Sequence, residues 1–280
     1  MEKPANPAAS GSPRPQVTLL NAGSLDRVCV RGHLMPSADL APFVAVAWTM
    51  EWRLPNDQTF TQQVLPNPSV QIVVDHSGRA EVLGIVTGAF STTLAGEGFV
   101  FGLRFRPCGF YPVVRQPVAR FTNRRHPLTD VLPGVDSAAL QRLARDTDKP
   151  GLMELLQGAL RMREPRRDQI GASLEALIDR MEADPQMLTT DEAAHSFGAS
   201  VRTLQRLFHQ HVGVSPKWIL RRFRLKEAAA TIEQRQPINM SELAQRLGYY
   251  DQAHLNRDFR TLIGQPPATW ARQQSGHSVG

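Results

Sequence analysis

Two short runs combine basic side chains with amide, hydroxyl or imidazole groups. The first is Arg202, Thr203, Gln205 and Arg206, and the second is Gln252, His254, Asn256 and Arg257. Guanidinium, amide and imidazole groups of this kind donate to or accept from base edges and phosphate oxygens. In each run they interleave with apolar residues at helical spacing: Val201, Leu204, Leu207 and Phe208, then Leu255, Phe259 and Leu262. Each run therefore predicts a helix with one buried and one polar face. An ordinary amphipathic helix with a solvated outer face shows the same pattern, so one run alone decides nothing.

The sequence around the two runs is duplicated. Thr189-Thr190-Asp191-Glu192 has the form of a capping box, and Asn239-Met240-Ser241-Glu242 repeats it 50 positions later. Ala194 and Gly198 recur as Ala244 and Gly248 at the same offset. Leu204, Arg206, Phe208, Gly213 and Pro216 recur as Leu255, Arg257, Phe259, Gly264 and Pro267 at an offset of 51. A small residue lets two helices cross closely, and a glycine four residues on can take the left-handed conformation of a sharp turn. Ser200 and Asp251 then stand as N-caps of the second helices. Two copies in register, each with these parts, predict a pair of helix-turn-helix units. Ser200, Arg202, Thr203, Gln205 and Arg206, with Asp251, Gln252, His254, Asn256 and Arg257, are the candidate DNA-contacting residues.

Between the copies, Pro216 opens a helix predicted to run to about Ile232. At about 1.5 Å per residue it is roughly 25 Å long, against the ~34 Å between successive major grooves on one face of DNA. Arg221, Arg222, Arg224 and Lys226 on it serve as phosphate contacts or form a solvated face.

Residues 171–272 resemble the DNA-binding domain of the AraC/XylS family of transcription regulators. The resemblance is carried by Arg202-Thr203-Leu204-Gln205-Arg206-Leu207-Phe208, Gly213-Val214-Ser215-Pro216 and Leu220-Arg221-Arg222-Phe223-Arg224-Leu225. The second half adds Leu243-Ala244, Leu247-Gly248-Tyr249, Asp251-Gln252-Ala253-His254-Leu255, Arg257-Asp258-Phe259-Arg260, Gly264 and Pro267. One departure is that Ala271 separates Trp270 from Arg272, where the family often has an aromatic followed directly by Arg. The resemblance implies that double-stranded DNA is the partner and that the outer faces of both second helices contact it. It also implies a homodimer, an N-terminal sensing or dimerising domain with a small-molecule effector, and RNA polymerase contact if the protein activates.

Charge agrees with a polyanionic partner. Residues 200–280 hold 12 Lys/Arg against 5 Asp/Glu, whereas residues 1–199 hold 20 against 21. The apolar stretch from Ala41 to Trp48 is too short to span a bilayer, and no signal-peptide profile opens the chain. The expected location is cytoplasmic and nucleoid-associated, with no membrane contact.

The expected fold class is α+β. Residues 1–15 read as a disordered tail, and 16–133 as a β-rich barrel or sandwich. Residues 134–168 read as a helical connector, 169–273 as the all-α DNA-binding domain, and 274–280 as a tail. Phe99, Phe101, Leu103 and Phe105 alternate along one strand, and Val70, Ile72 and Val74 along another. Trp48, Met50 and Trp52 are expected to share a strand face with Val44 and Val46, either lining a ligand pocket or packing as core. Arg104 and Arg106, across from the Phe face, either hold an anion or lie solvated or salt-bridged. Trp48, Trp52 and Arg104 are the candidate ligand residues.

No catalytic residue, cofactor or metal is expected. His33 and His76 lack the spacing of a metal-binding cupin, and His209 and His211 point to different faces of one helix. An enzyme with an appended DNA-binding region, such as an alkyl-transfer repair protein, would need a reactive cysteine. Cys108, between Pro107 and Gly109 and near Arg104 and Arg106, has the neighbourhood to be one, or to act as a redox sensor, or it is an inert buried thiol.

Overall fold

A computed structural model describes residues 28–55, 58–233 and 239–276 of the 280. The expected tail at 1–15 lies outside them, as does most of 274–280.

Six antiparallel strands form the main sheet. These are β1 (Cys29–Leu34), β2 (Val44–Arg53), β4 (Gln71–Asp75), β5 (Ala80–Leu83), β7 (Glu97–Phe105) and β8 (Arg125–Pro127), in the order β1-β2-β7-β4-β5-β8. Strands β3 (Thr59–Val64) and β6 (Phe90–Ala95) pair as a separate ribbon. The strands do not close into a barrel, because β1 and β8 remain the two edges of the sheet.

One face of this sheet is apolar because Phe99, Phe101, Leu103, Phe105, Ile72, Val74 and Val82 all project from it and are buried. Helices α1 (Tyr111–Val114), α2 (Leu128–Val131), α3 (Ser137–Arg145) and α4 (Lys149–Arg161) follow the strands. Leu140 and Ala144 of α3, with Leu152, Met153, Leu156 and Leu160 of α4, join that core. The stretch expected to be a connector is thus a layer of the N-terminal unit. Asp136 and Asp148 cap the two helices, accepting from Ala139 N at 2.9 Å and Gly151 N at 3.0 Å.

The face shared by the tryptophans differs from expectation. Val44 faces Phe105 but Val46 faces Arg104, so the register shifts between them. One extra residue in a strand reverses the alternation beyond it. Val44 therefore joins the helix-covered core, while Val46, Trp48, Met50 and Trp52 turn to the other face.

The C-terminal unit is helical: α5 (Gln169–Ala183), α6 (Thr190–Phe197), α7 (Val201–His211), α8 (Pro216–Glu233), α9 (Met240–Arg246), α10 (Gln252–Ile263) and α11 (Pro267–Gly276). Its core runs from Leu174 and Leu177 through Leu204, Phe208, Ile219 and Leu225 to Leu255, Phe259 and Trp270. Leu65, Ile85 and Cys108 of the N-terminal unit are buried in that same cluster. The two units therefore share apolar packing instead of meeting only through a linker. No helix among the described residues is long and apolar enough to cross a membrane.

Candidate nucleic-acid interface

Each helix pair is built by its caps and its turn. Thr189 Oγ1 accepts from Glu192 N at 3.2 Å, and Glu192 Oε2 accepts from Thr189 N at 2.9 Å, which completes the capping box of α6. These backbone donors hold the Glu192 carboxyl below its usual range. In the second copy the Asn239 side chain accepts from Ser241 N and Glu242 N, opening α9. Gly198 and Gly248 end the first helix of each copy at φ 76° and 70°, the left-handed conformation that the turn requires. Ser200 Oγ then accepts from Thr203 N at 3.2 Å, and Asp251 Oδ1 from His254 N at 2.7 Å.

On α7, Leu204, Leu207, Phe208 and His211 are buried, while Arg202, Gln205, Arg206 and His209 are exposed. Thr203 is half-buried beside Ser200. On α10, Leu255, Asp258, Phe259, Leu262 and Ile263 are buried. Asp251, Gln252, His254 and Arg257 are exposed and Asn256 is half-buried. Gln252 lies against Ser241 at 3.3 Å, and His254 stands edge-on to the Tyr249 ring at 5.1 Å. On α7 the candidate residues fall on one polar face, whereas on α10 Gln252 and His254, two positions apart, point to opposite sides of its first turn. Tyr250, 92% exposed, stands immediately before the α10 cap. The sequence shows only the pair Tyr249-Tyr250 ahead of Asp251, and residue type alone does not tell the buried Tyr249 from the exposed Tyr250.

The basic run on α8 is not the solvated face that was one of its two expected roles. Arg222 is 2% exposed; its Nε donates to Pro66 O at 2.5 Å and its Nη2 to Asn67 Oδ1 at 2.7 Å. Burial lowers its pKa to about 10. Arg221 pairs with Asp258 of α10 at 2.9 Å. Arg224 donates to Leu188 O and lies over the Tyr249 ring at 5.5 Å, while Lys226 pairs with Glu182 at 2.6 Å. These cations tie α8 to both helix pairs and to the N-terminal unit, so they do not form a free solvated face.

The three candidate ligand residues share one sheet face but not one cavity. Trp48 lies over Gly102, where an added Cβ would fall 2.1 Å from the indole, and donates from Nε1 to Gln71 Oε1 at 2.8 Å. Arg104 is buried, not solvated, and desolvation lowers its pKa. The His33 pKa is lowered by burial first and then by Arg31 and Arg104. Trp52 lines an open cavity of about 650 Å³ with Cys29, Glu51, His76, Phe99 and Arg145. Arg106 instead donates to Ala41 O at 2.8 Å.

Cys108 is buried, and burial followed by Glu175 and Asp168 raises its thiol pKa well above the ordinary value. That environment disfavours the thiolate required for alkyl transfer or redox sensing. Among the described residues, no three His, Cys, Asp or Glu side chains are placed to hold a metal.

Known proteins agree with this division into two units. Residues 193–273 match a family described as a helix-turn-helix domain, and residues 32–127 match a domain of unknown function, DUF6597. The chain is 31% identical over 124 residues to the HTH-type transcriptional regulator GlxA of Rhizobium meliloti (strain 1021), covering 40% of this chain and 38% of that protein. It is 32% identical over 80 residues to the HTH-type transcriptional activator RhaS of Pectobacterium atrosepticum, covering 29% and 28%. The chain thus spans less than two fifths of the length of either relative. A transcriptional regulator from Chromobacterium violaceum with an AraC-type DNA-binding domain superposes with a TM-score of 0.34 at 24% identity, over 38% of this chain and 94% of that one. The C-terminal unit, with its two helix pairs around α8, is a helix-turn-helix domain of the AraC type, joined to an N-terminal domain of the DUF6597 family.

Proposed function

We propose that the protein is a sequence-specific DNA-binding transcription regulator that places α7 and α10 in two adjacent major grooves. The observation that carries this is the duplicated unit itself: two capped helices, each with a buried apolar face and exposed Arg, Gln and His side chains. Helix α8, with 18 residues, is about 27 Å long, which suits grooves ~34 Å apart with some DNA bending. Arg202, Gln205 and Arg206 read the first groove, and Gln252, His254, Asn256 and Arg257 the second. Ser200, Thr203 and Asp251 set the helix starts and contact the backbone there.

The test is selection of a binding duplex from random-sequence DNA with the full chain. Enrichment of a motif with two conserved segments about one helical turn apart supports the reading. Recovery of unenriched sequence from a protein that binds all DNA equally contradicts it.

The N-terminal domain supplies regulation, with a small molecule held near Trp48, Trp52 and Arg104. The support is a sheet face that combines indole, guanidinium and imidazole groups instead of plain core. The chain forms a homodimer through this domain, whose β1 edge carries Val30 at 70% exposure. It works in the cytoplasm at the nucleoid and touches RNA polymerase where it activates. Sizing the full chain in solution tests the dimer; a monomer at micromolar concentration contradicts it.

A further inference from the structure

Both recognition helices are held at their C-terminal ends by a single ribbon of the N-terminal domain. The ribbon continues the β5–β8 pairing: Gly84 N donates to Arg124 O at 3.0 Å, and Asn123 N to Ile85 O at 2.9 Å. Ile85 is 1% exposed and sits in the core of the helical unit. At one side, Thr122 Oγ1 donates to Gly213 O, just past the end of α7, at 2.6 Å. Gly213 lies so close to the ribbon that an added Cβ would meet Thr122 Oγ1 at 3.2 Å, and Val118 Cγ1 just ahead of the ribbon at 2.9 Å. At the other side, Ala89 N donates to Thr261 O in the last turns of α10 at 2.8 Å. Between them, Trp218 Nε1 of α8 donates to Thr87 O at 3.0 Å.

Asn123 joins the two sides. Its Oδ1 accepts from Thr87 N at 2.8 Å, and its Nδ2 donates to Thr87 Oγ1 at 2.8 Å. Its backbone is left-handed, with φ 58°, a conformation that asparagine tolerates better than most residues. An unbroken covalent and hydrogen-bonded path therefore runs from Gly213 through Thr122, Asn123, Thr87 and Ala89 to Thr261. Helix α8 also joins the two helix pairs through one continuous core, and Leu188 ahead of α6 lies against Gly248 at the second turn. The ribbon adds attachments at the C-terminal ends of α7 and α10, away from those contacts. Attachment at both places resists rotation of one pair against the other.

We infer that this ribbon, residues 84–89 with 121–125, is a strut that fixes the separation and rotation of the two recognition helices and so determines which half-site spacing the protein accepts. The inference rests on the two-groove reading above. It makes the N-terminal domain a determinant of DNA specificity without any contact to DNA. A ligand or partner that shifts the ribbon would change spacing preference in place of overall affinity.

The experiment uses the full chain, a selected duplex, and versions with one or two base pairs added or removed between the two contacted segments. Each base pair displaces the second segment by ~3.4 Å along the axis and rotates it about the helix. Wild-type binding is expected to fall about tenfold per base pair, within the ordinary range of coupling between sites. Asn123→Gly keeps the left-handed backbone and removes the side-chain bridge. Thr122→Val keeps the shape and removes the bond to Gly213. Each is expected to flatten the spacing profile to within about threefold, with binding to a duplex carrying only one segment unchanged.

If either variant unfolds at the wild-type temperature and keeps the wild-type spacing profile, the strut is overturned while the two-groove reading stands. If the wild-type protein shows no dependence on the second segment, the two-groove reading fails first. The two failures are therefore distinguishable.

Discussion

Arg206 sits on the exposed face of α7 between buried Leu204 and Leu207, so its truncation leaves the core untouched and tests the proposed groove contact. Arg206→Ala is expected to cost about 1–3 kcal/mol on the selected duplex and to relax discrimination at one base position. Equal losses on selected and random DNA, measured by titration, would assign it to phosphate alone. His211, one turn further along, behaves in the opposite way. It is 3% exposed, stacks on Tyr111 at 4.1 Å and lies 4.0 Å from Asp168, with its Nδ1 lacking a hydrogen bond. Burial lowers its pKa below the ordinary 6.5, more than Asp168 raises it. The unfolded chain thus binds a proton more readily than the folded one. The stability linked to this group is intact above pH 6.5 and declines as pH falls through that value toward the folded pKa. His211→Phe should reduce the slope of stability against pH in that window, as followed by denaturant unfolding. Residue chemistry of the exposed kind was legible in the sequence, because polar positions alternate with an apolar stripe on one helix. Arg222 was not legible: its partners Pro66 and Asn67 lie more than 150 positions away, and an arginine in a basic run looks solvated until a remote loop covers it.

At the scale of elements, the turns and caps were readable because each is decided within about four residues. Gly198 and Gly248 adopt the left-handed conformation their positions demand. Gly198→Ala is expected to cost about 1 kcal/mol, since its Cβ would meet nothing within 4 Å and only the backbone objects. Gly84→Ala should cost several times more, because its Cβ would lie 1.7 Å from the Phe121 carbonyl oxygen. Thermal unfolding of the two variants side by side checks this order, and equal shifts would contradict the close packing of the ribbon. The strand faces were only partly readable. A two-residue alternation runs correctly through Phe99, Phe101, Leu103 and Phe105. It fails at Val44–Val46, where a register shift set by the partner strand puts Val44 and Trp48 on opposite faces. The helices at 137–161 were readable as helices but not as a layer of the sheet domain, since amphipathicity shows a buried face without saying what buries it.

The whole molecule carries its excess positive charge in the C-terminal third, yet that charge overstates the DNA-facing surface. Arg221, Arg222, Arg224 and Lys226 are engaged with Asp258, Pro66, Leu188 and Glu182. Arg224→Ala should therefore lower the unfolding temperature while leaving the slope of log affinity against log salt unchanged. Arg202→Ala, which removes an exposed cation, should reduce that slope by about 0.9 if it meets a phosphate. A changed slope for Arg224→Ala would show that α8 faces DNA after all. The domain-level charge was visible in the sequence, but its division between internal ties and outer surface depended on contacts that only the fold creates. The central claim, two helix faces in two neighbouring grooves, is tested most directly by guanine N7 methylation protection on the selected duplex. Two protected clusters on one face of the DNA, about one helical turn apart, with the first lost in Arg206→Ala and the second in Arg257→Ala, are the predicted result. A single cluster, or protection indifferent to both substitutions, would contradict it.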